Sequence, residues 1–200
     1  MDAHVRLFDS IAPAYRLFYG AQRRRFREIL ALHLDKLGAA PGDSFLDIGC
    51  GTGALVAELS AAGFRAEGVD AAPGMVAAAR RSGADCRLGD VAAGLAYPNA
   101  AFDYVISSFV AHGLEPAPRA RLYAEARRLA RKAVVIHDYY GPQPWHSKLI
   151  ERIEGGGFFG FIAAGEAELA AAFDSLEILA ILPGSAWYVG RTARAAEEPS

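Results

Sequence analysis

Residues 45–53 read FLDIGCGTG. An apolar run ends in an acid, Asp47, and glycine then stands at Gly49, Gly51 and Gly53. Glycine permits positive φ and close approach of the backbone to a ligand. Three of them between a strand and a helix predict a tight turn whose amides face a bound molecule, with the start of a helix at Ala54 adding its positive end. A plain turn that lets the helix pack tightly is the simpler alternative. Gly49, Gly51 and Ala54 also fit the dinucleotide fingerprint G-x-G-x-x-G/A. Asp70 follows about 20 residues on, where an acid can accept hydrogen bonds from vicinal ribose hydroxyls. It can equally cap a helix that starts around Pro73.

Outward from this stretch, strand and helix patterns alternate. Apolar spacing predicts helix over 11–37, broken into two at Gly20. A turn at 39–43 precedes a strand at 44–48. Helix at 54–62 stops at Gly63, strand follows at 66–69, and helix at 74–81 has Pro73 near its first turn. Further strands are expected at 84–88, 102–107 and 133–137, with helix at 118–131. Short buried strands separated by helices predict a mostly parallel sheet covered on both faces. The stretches 176–182 and 186–192 are joined only by Pro183-Gly184-Ser185, too short for a parallel crossover, so one strand should run backwards. The segment 138–165, DYYGPQPWHSKLIERIEGGGFFGFIAAG, is rich in aromatics and glycine and reads as a lid or acceptor insertion, with a short helix over 144–153. The whole, 1–200, reads as one domain with N-terminal cap helices over 1–40.

Composition narrows the class. The 200 residues are 52% hydrophobic and 22% charged, with a formal charge of -2. That suits a folded chain with a core of ordinary size and gives no general attraction to nucleic acid or anionic lipid. The densest basic run, Arg23-Arg24-Arg25, reads as a solvated helix face. The first ten residues carry acids and do not read as a signal peptide, and no run is long enough for a bilayer, so a cytoplasmic protein with no membrane partner is expected. Cys50 and Cys86 are too few and too far apart for a disulfide scaffold; Cys50 is expected to pack under the loop. The five histidines show no close ligand pair, and no metal is expected.

LDIGCGTG, then GVDAAPGM, then LGDVAAGLAYPNAAFDYVISSFVAHGL resemble the class I methyltransferases that use S-adenosylmethionine. The resemblance spans roughly 42–139 and, more loosely, the final hairpin. It implies a three-layer α/β sandwich of Rossmann-like methyltransferase type, its mostly parallel seven-stranded sheet ending in an antiparallel strand. It implies S-adenosyl-L-methionine as cofactor and a small molecule as methyl acceptor through O, N or C. Asp47 matches the acid that supports the loop and the cofactor's ammonium; Gly49, Cys50, Gly51 and Gly53 match the cradle. Asp70, with Ala71 and Met75, matches the ribose-binding segment. Asp90 matches the acid that accepts from the adenine amino group, with Val91 beside the ring. Ser107 falls where the family borders the methyl group. Charge logic agrees, because Asp47 would repel a pyrophosphate and suits an ammonium.

For the acceptor, His112 is the expected base or binding group, since imidazole titrates near neutrality; a helix-capping or packing role is the alternative. Tyr15 and Tyr19 from the N-terminal helices, with Tyr139, Tyr140, Trp145 and His146, are expected to line an acceptor pocket. His137 is expected to be buried and hydrogen-bonded. Two rivals remain: an NAD-dependent oxidoreductase, and a catalytically idle binding subunit with this fold.

Overall fold

In the computed structural model, residues 3–141 and 157–191 are described, with side chains at Asp9 and throughout 18–141 and 160–191. Seven strands form one sheet in the order β3-β2-β1-β4-β5-β7-β6. They are β1 (Ser44–Ile48), β2 (Arg65–Asp70), β3 (Cys86–Leu88), β4 (Phe102–Ser108), β5 (Ala130–Tyr139), β6 (Ser175–Leu182) and β7 (Ser185–Arg191). The helices are α1 (Ala3–His33), α2 (Ala54–Ala61), α3 (Pro73–Arg81), α4 (Pro116–Leu129) and α5 (Gly157–Ala172). The chain divides into two compact units, Met1–Leu95 and Ala96–Ser200.

In the first unit, β1 pairs parallel with β2 and β2 parallel with β3. All five residues of β1 are buried, as a strand covered on both faces requires. The break expected at Gly20 is absent: α1 runs through it. A mid-helix glycine costs about 1 kcal/mol, and α1 offsets this by packing on α2 and α3 with Ile29 and Leu30 buried. The arginine run divides. Arg24 and Arg25 are exposed, whereas Arg23 turns inward to Glu58 of α2, beside Arg27 at 2.8 Å. Burial pushes the Glu58 carboxyl up, but Arg27 and Arg23 outweigh it and hold it below its ordinary value. Cys50 and Cys86, distant in sequence, both join one buried cluster with Val56, Ala79 and Ala84.

In the second unit, β4 pairs parallel with β5, and β7 lies antiparallel to both β5 and β6. The reversed strand inferred from the short 183–185 link is therefore β7. Helix α4 begins two residues before the expected start, with Pro116 in its first turn, and β5 extends three residues further back and two further on than the apolar run. Helix α5 had no sequence forecast; its Phe161 and Leu169 are buried and Arg119 of α4 reaches its Glu168. The helix expected over 144–153 lies outside the described residues.

Candidate functional site

The glycine loop answers its own composition. Gly49, Gly51 and Gly53 have φ of 78°, 52° and 77°, values that L side chains rarely adopt. At Gly53 a Cβ would also lie 2.6 Å from Ala84 Cβ. Four of the loop's amides are engaged within the protein. Gly49 N and Cys50 N donate to the Val69 carbonyl at 2.8 and 3.1 Å, and Gly53 N donates to the Cys50 carbonyl. Gly51 N donates to Asp70 Oδ2 at 2.8 Å. These four N–H groups are thus committed to β2 and to the loop itself and are not offered to a pyrophosphate.

Carboxylates dominate this edge instead. Asp47 ends the buried face of β1, 2% exposed, and its Oδ1 has no hydrogen-bond partner among the described residues. Burial, helped by the charge of Asp70, pushes its carboxyl up to about 8. Asp70 ends β2; while Oδ2 holds Gly51, Oδ1 accepts from Ala72 N at 2.8 Å. The helix-capping alternative for Asp70 is therefore realised, and because a carboxylate offers about four acceptor sites, it does not exclude a ribose diol. Asp90, just beyond β3, is exposed and accepts from Ala92 N at 2.9 Å; Val91 beside it is half-buried. Ala71 is half-buried, while Met75 is 2% exposed and packs in the core.

Helix α1 touches this edge at two places. Gly74 N donates to Asp9 Oδ1 at 2.6 Å, and Thr52 Oγ1 lies 3.2 Å from Gln22 Oε1. Tyr19 is half-buried, with the Arg23 guanidinium 5.9 Å above its ring and a hydroxyl that has no partner among the described residues. The Tyr15 side chain lies outside the described residues, as do Trp145 and His146.

In the second unit, β4 ends at Ser107, 1% exposed, and Ser108, and a short turn then carries His112. His112 is 4% exposed, and its Nδ1 lies 2.8 Å from Asp138 Oδ1. Asp138 Oδ2 also accepts the His112 backbone N–H at 3.1 Å, and Tyr139 N donates to Oδ1 at 2.8 Å. A carboxylate on Nδ1 favours the tautomer with its proton there and leaves Nε2 as the acceptor. The Tyr139 ring stands 4.8 Å from the imidazole, edge to face. Tyr140 is exposed and its ring lies 6.2 Å from that of Tyr188. His137 is buried, as expected, with its ring 4.6 Å from Phe109.

Sequence reasoning passed over Asp138 and Phe109. Asp138, 0% exposed, carried one visible signal, an acid at the end of an otherwise apolar strand. Phe109 adopts φ 56°, and its N–H donates to the His137 carbonyl at 2.8 Å. Its ring lies 5.5 Å from Tyr139 and 6.4 Å from His112. A non-glycine residue in this region stores backbone strain, which tends to collect at functional sites. Arg119 is 1% exposed and braces the turn by donating to the Leu114 carbonyl at 2.8 Å and pairing with Glu168 at 2.6 Å. Among the described residues no group of three or more His, Cys, Asp or Glu is placed to hold a metal ion, and no helix is long and apolar enough to cross a membrane.

Comparisons with known proteins point the same way. A family model described as a methyltransferase domain matches residues 45–133. A demethylmenaquinone methyltransferase of Renibacterium salmoninarum is 31% identical over 153 residues, 70% of this chain and 62% of that protein. A malonyl-[acyl-carrier protein] O-methyltransferase of Serratia marcescens is 38% identical over 137 residues, 68% of this chain and 51% of that protein. The chain thus spans about half to three fifths of the length of these relatives. A solved Methanococcus maripaludis structure, assigned as an S-adenosyl-L-methionine-dependent methyltransferase, superposes with a TM-score of 0.71 at 16% identity, covering 92% of this chain and 93% of that one. Strand order, glycine loop and acids at the strand ends thus sit on the seven-stranded Rossmann-like fold of the class I methyltransferases, and residues 45–133 match a methyltransferase domain.

Proposed function

We propose that this chain binds S-adenosylmethionine and transfers its methyl group to an O, N or C atom of a small molecule. The observation that carries the reading is a buried Asp47 Oδ1 with no hydrogen-bond partner among the described residues, beside a loop in which the N–H groups of Gly49, Cys50, Gly51 and Gly53 are already engaged. Such an edge suits a nucleoside that presents an ammonium and no phosphate. It suits NAD poorly, since four loop amides that could meet a pyrophosphate are engaged elsewhere.

When bound, this cofactor supplies a methyl group on a sulfonium, already electrophilic toward a lone pair. The chain's own residues bind, orient and move a proton. Asp47 would hold the ammonium as a carboxylate, releasing to solvent the proton that burial keeps on it. Asp70 would hold the ribose diol while keeping Gly51 and Ala72 in place. Asp90 and Val91 would take the adenine, and Ser107 would border the reacting group. His112 takes the acceptor's proton at Nε2, and Asp138 holds the imidazole in the required tautomer and balances the charge it gains. Tyr139 and Phe109 supply aromatic surface beside the imidazole, so a planar or apolar acceptor fits. Tyr15, Tyr19, Tyr140, Trp145 and His146 stay with the acceptor in this reading. The proposal places the protein in the cytoplasm as a single 1–200 domain, with neither nucleic acid nor membrane as partner.

The intact dyad argues against an idle binding subunit. The deciding assay follows labelled methyl from S-adenosylmethionine into a metabolite extract and identifies the product by mass spectrometry. A labelled product that disappears with His112→Ala supports the reading; a folded, cofactor-bound protein that labels nothing would reduce it to a binding module.

A further inference from the structure

Cys50 lies in the glycine loop and Cys86 opens β3, yet their sulfurs meet over Gly68 of the intervening strand. A Cβ on Gly68 would stand 2.7 Å from Cys50 Sγ and 2.8 Å from Cys86 Sγ. Both thiols therefore fill the space of one absent side chain. They are free cysteines, 7% and 1% exposed, and both belong to one buried cluster with Val56, Ala79 and Ala84. The arrangement is fixed from both sides. Gly68 is paired in register with Cys86, and Cys50 N is bonded to the Val69 carbonyl.

We propose that this pair is an oxidation site at which a hydroperoxide produces a Cys50–Cys86 disulfide that closes the cofactor loop. With hydrogen peroxide, one thiol sulfur attacks the O–O bond, becomes a sulfenic acid and releases water. The second sulfur then attacks the sulfenic sulfur, the S–OH bond breaks, and the hydroxyl leaves with the second thiol's proton as water. Two thiols and one peroxide become one disulfide and two waters; sulfur is oxidised and peroxide oxygen reduced. Burial slows the first step. The same burial keeps other protein thiols away, so the neighbour is the partner that captures the sulfenic acid.

Bonded sulfurs, about 2.0 Å apart, lie closer together than unbonded thiols. Closing the bond draws residue 50 toward β3 and disturbs the contacts that Gly49, Cys50 and Gly51 make with Val69 and Asp70. Cofactor affinity falls as a result, and this consequence rests on the cofactor reading above. The disulfide itself does not.

The test treats reduced protein with hydrogen peroxide, reads intact mass and digest under non-reducing conditions, and measures S-adenosylhomocysteine binding by calorimetry. The expected product is a monomer lighter by two hydrogens, with a peptide joining Cys50 to Cys86. Its affinity should be about tenfold weaker or less, a loss of about 1.4 kcal/mol, and dithiothreitol should restore it. Cys86→Ala should keep its affinity and take up oxygen at Cys50 instead. Oxygen adducts or intermolecular dimers in the wild type would overturn the site, and a disulfide form with unchanged affinity would overturn the coupling. If reduced wild type fails to bind S-adenosylhomocysteine, the cofactor reading and the coupling fail together, while the mass and the digest still decide the disulfide.

Discussion

Asp138 holds His112 at two points: Oδ1 lies 2.8 Å from the imidazole Nδ1, and Oδ2 accepts the same residue's backbone N–H at 3.1 Å. The two-point grip fixes both the turn and the ring, which is what a base needs before its acceptor arrives. Asp138→Asn keeps the shape but can donate to Nδ1 and impose the wrong tautomer. We expect methyl transfer to fall about 10²–10⁴-fold in His112→Ala, and strongly in Asp138→Asn, with S-adenosylhomocysteine affinity unchanged in both. A pH–rate profile for Asp138→Asn identical to wild type would show that Asp138 does not act through the imidazole.

Asp47 gives a pH signature. Its carboxyl is raised to about 8 by burial and by Asp70, well above the ordinary aspartate value of about 3.9. A raised folded-state value means that the unfolded chain releases this proton first. The contribution of Asp47 to stability is full below about pH 3.9 and is lost as pH rises through about 8. Urea titrations should show Asp47→Asn removing part of the decline over that window. An arriving ammonium favours the ionised form, so S-adenosylhomocysteine binding should release a proton at neutral pH. Calorimetry in buffers of different ionisation enthalpy reads that proton directly; none released would separate Asp47 from the ammonium.

Gly53 is under two constraints at once, φ 77° and a prospective Cβ contact of 2.6 Å with Ala84 and 3.0 Å with Ala79. Gly53→Ala should destabilise the fold by about 1–3 kcal/mol through overpacking, and by more once the backbone strain is added. Gly51 has φ 52° with nothing within 4 Å of a Cβ, so Gly51→Ala meets the backbone penalty alone. Thermal melts of the two variants should rank in that order, and equal losses would contradict the packing argument.

Phe109 separates stability from activity. Its φ of 56° is unfavourable for a side-chain-bearing residue and natural for glycine. Phe109→Gly relieves that strain while removing the ring beside His112 and Tyr139. The expected outcome is a melting temperature close to wild type with a higher KM for the acceptor identified by the labelling assay. Collapse of stability with unchanged KM would make Phe109 a packing residue only.

The Arg119–Glu168 ion pair, its arginine buried and its glutamate 28% exposed, is a structural test of the second unit. Arg119 is 1% exposed and serves Glu168 and the Leu114 carbonyl together. Arg119→Ala should cost about 3 kcal/mol by leaving a cavity and a carboxylate without its partner. Arg119→Met restores volume without charge and should recover part of that loss in chemical denaturation.

Much of the architecture was legible because it rests on local signals. Alternating apolar runs and glycine stops marked most of β1–β5 and the helices between them, and the short Pro183-Gly184 link placed a reversed strand before any topology was known. Gly20 misled because intrinsic propensity yields to tertiary packing, here of Ile29 and Leu30 against the first unit. Helix α5 was hidden because glycines and aromatics dilute its period. At the site, the acids and glycines stood out as types, but the direction of the loop amides did not. Only the fold shows that Val69 and Asp70 receive them. His112 stood out as a type, whereas the acid at the end of β5 gave no sign of being its partner, because their pairing joins a turn to a distant strand. The thiols of Cys50 and Cys86 were equally invisible as a pair, since it is the gap at Gly68 that brings them together.

The central claim is that an edge built from Asp47, Asp70 and Asp90 accepts a nucleoside with an ammonium and no phosphate. Calorimetric titration of the reduced protein with S-adenosylhomocysteine and, separately, with NAD tests it most directly. We expect saturable binding of S-adenosylhomocysteine, weakened by Asp47→Asn and by Asp70→Asn in folded variants, and no heat from NAD. Firm binding of NAD with no response to S-adenosylhomocysteine would contradict the account.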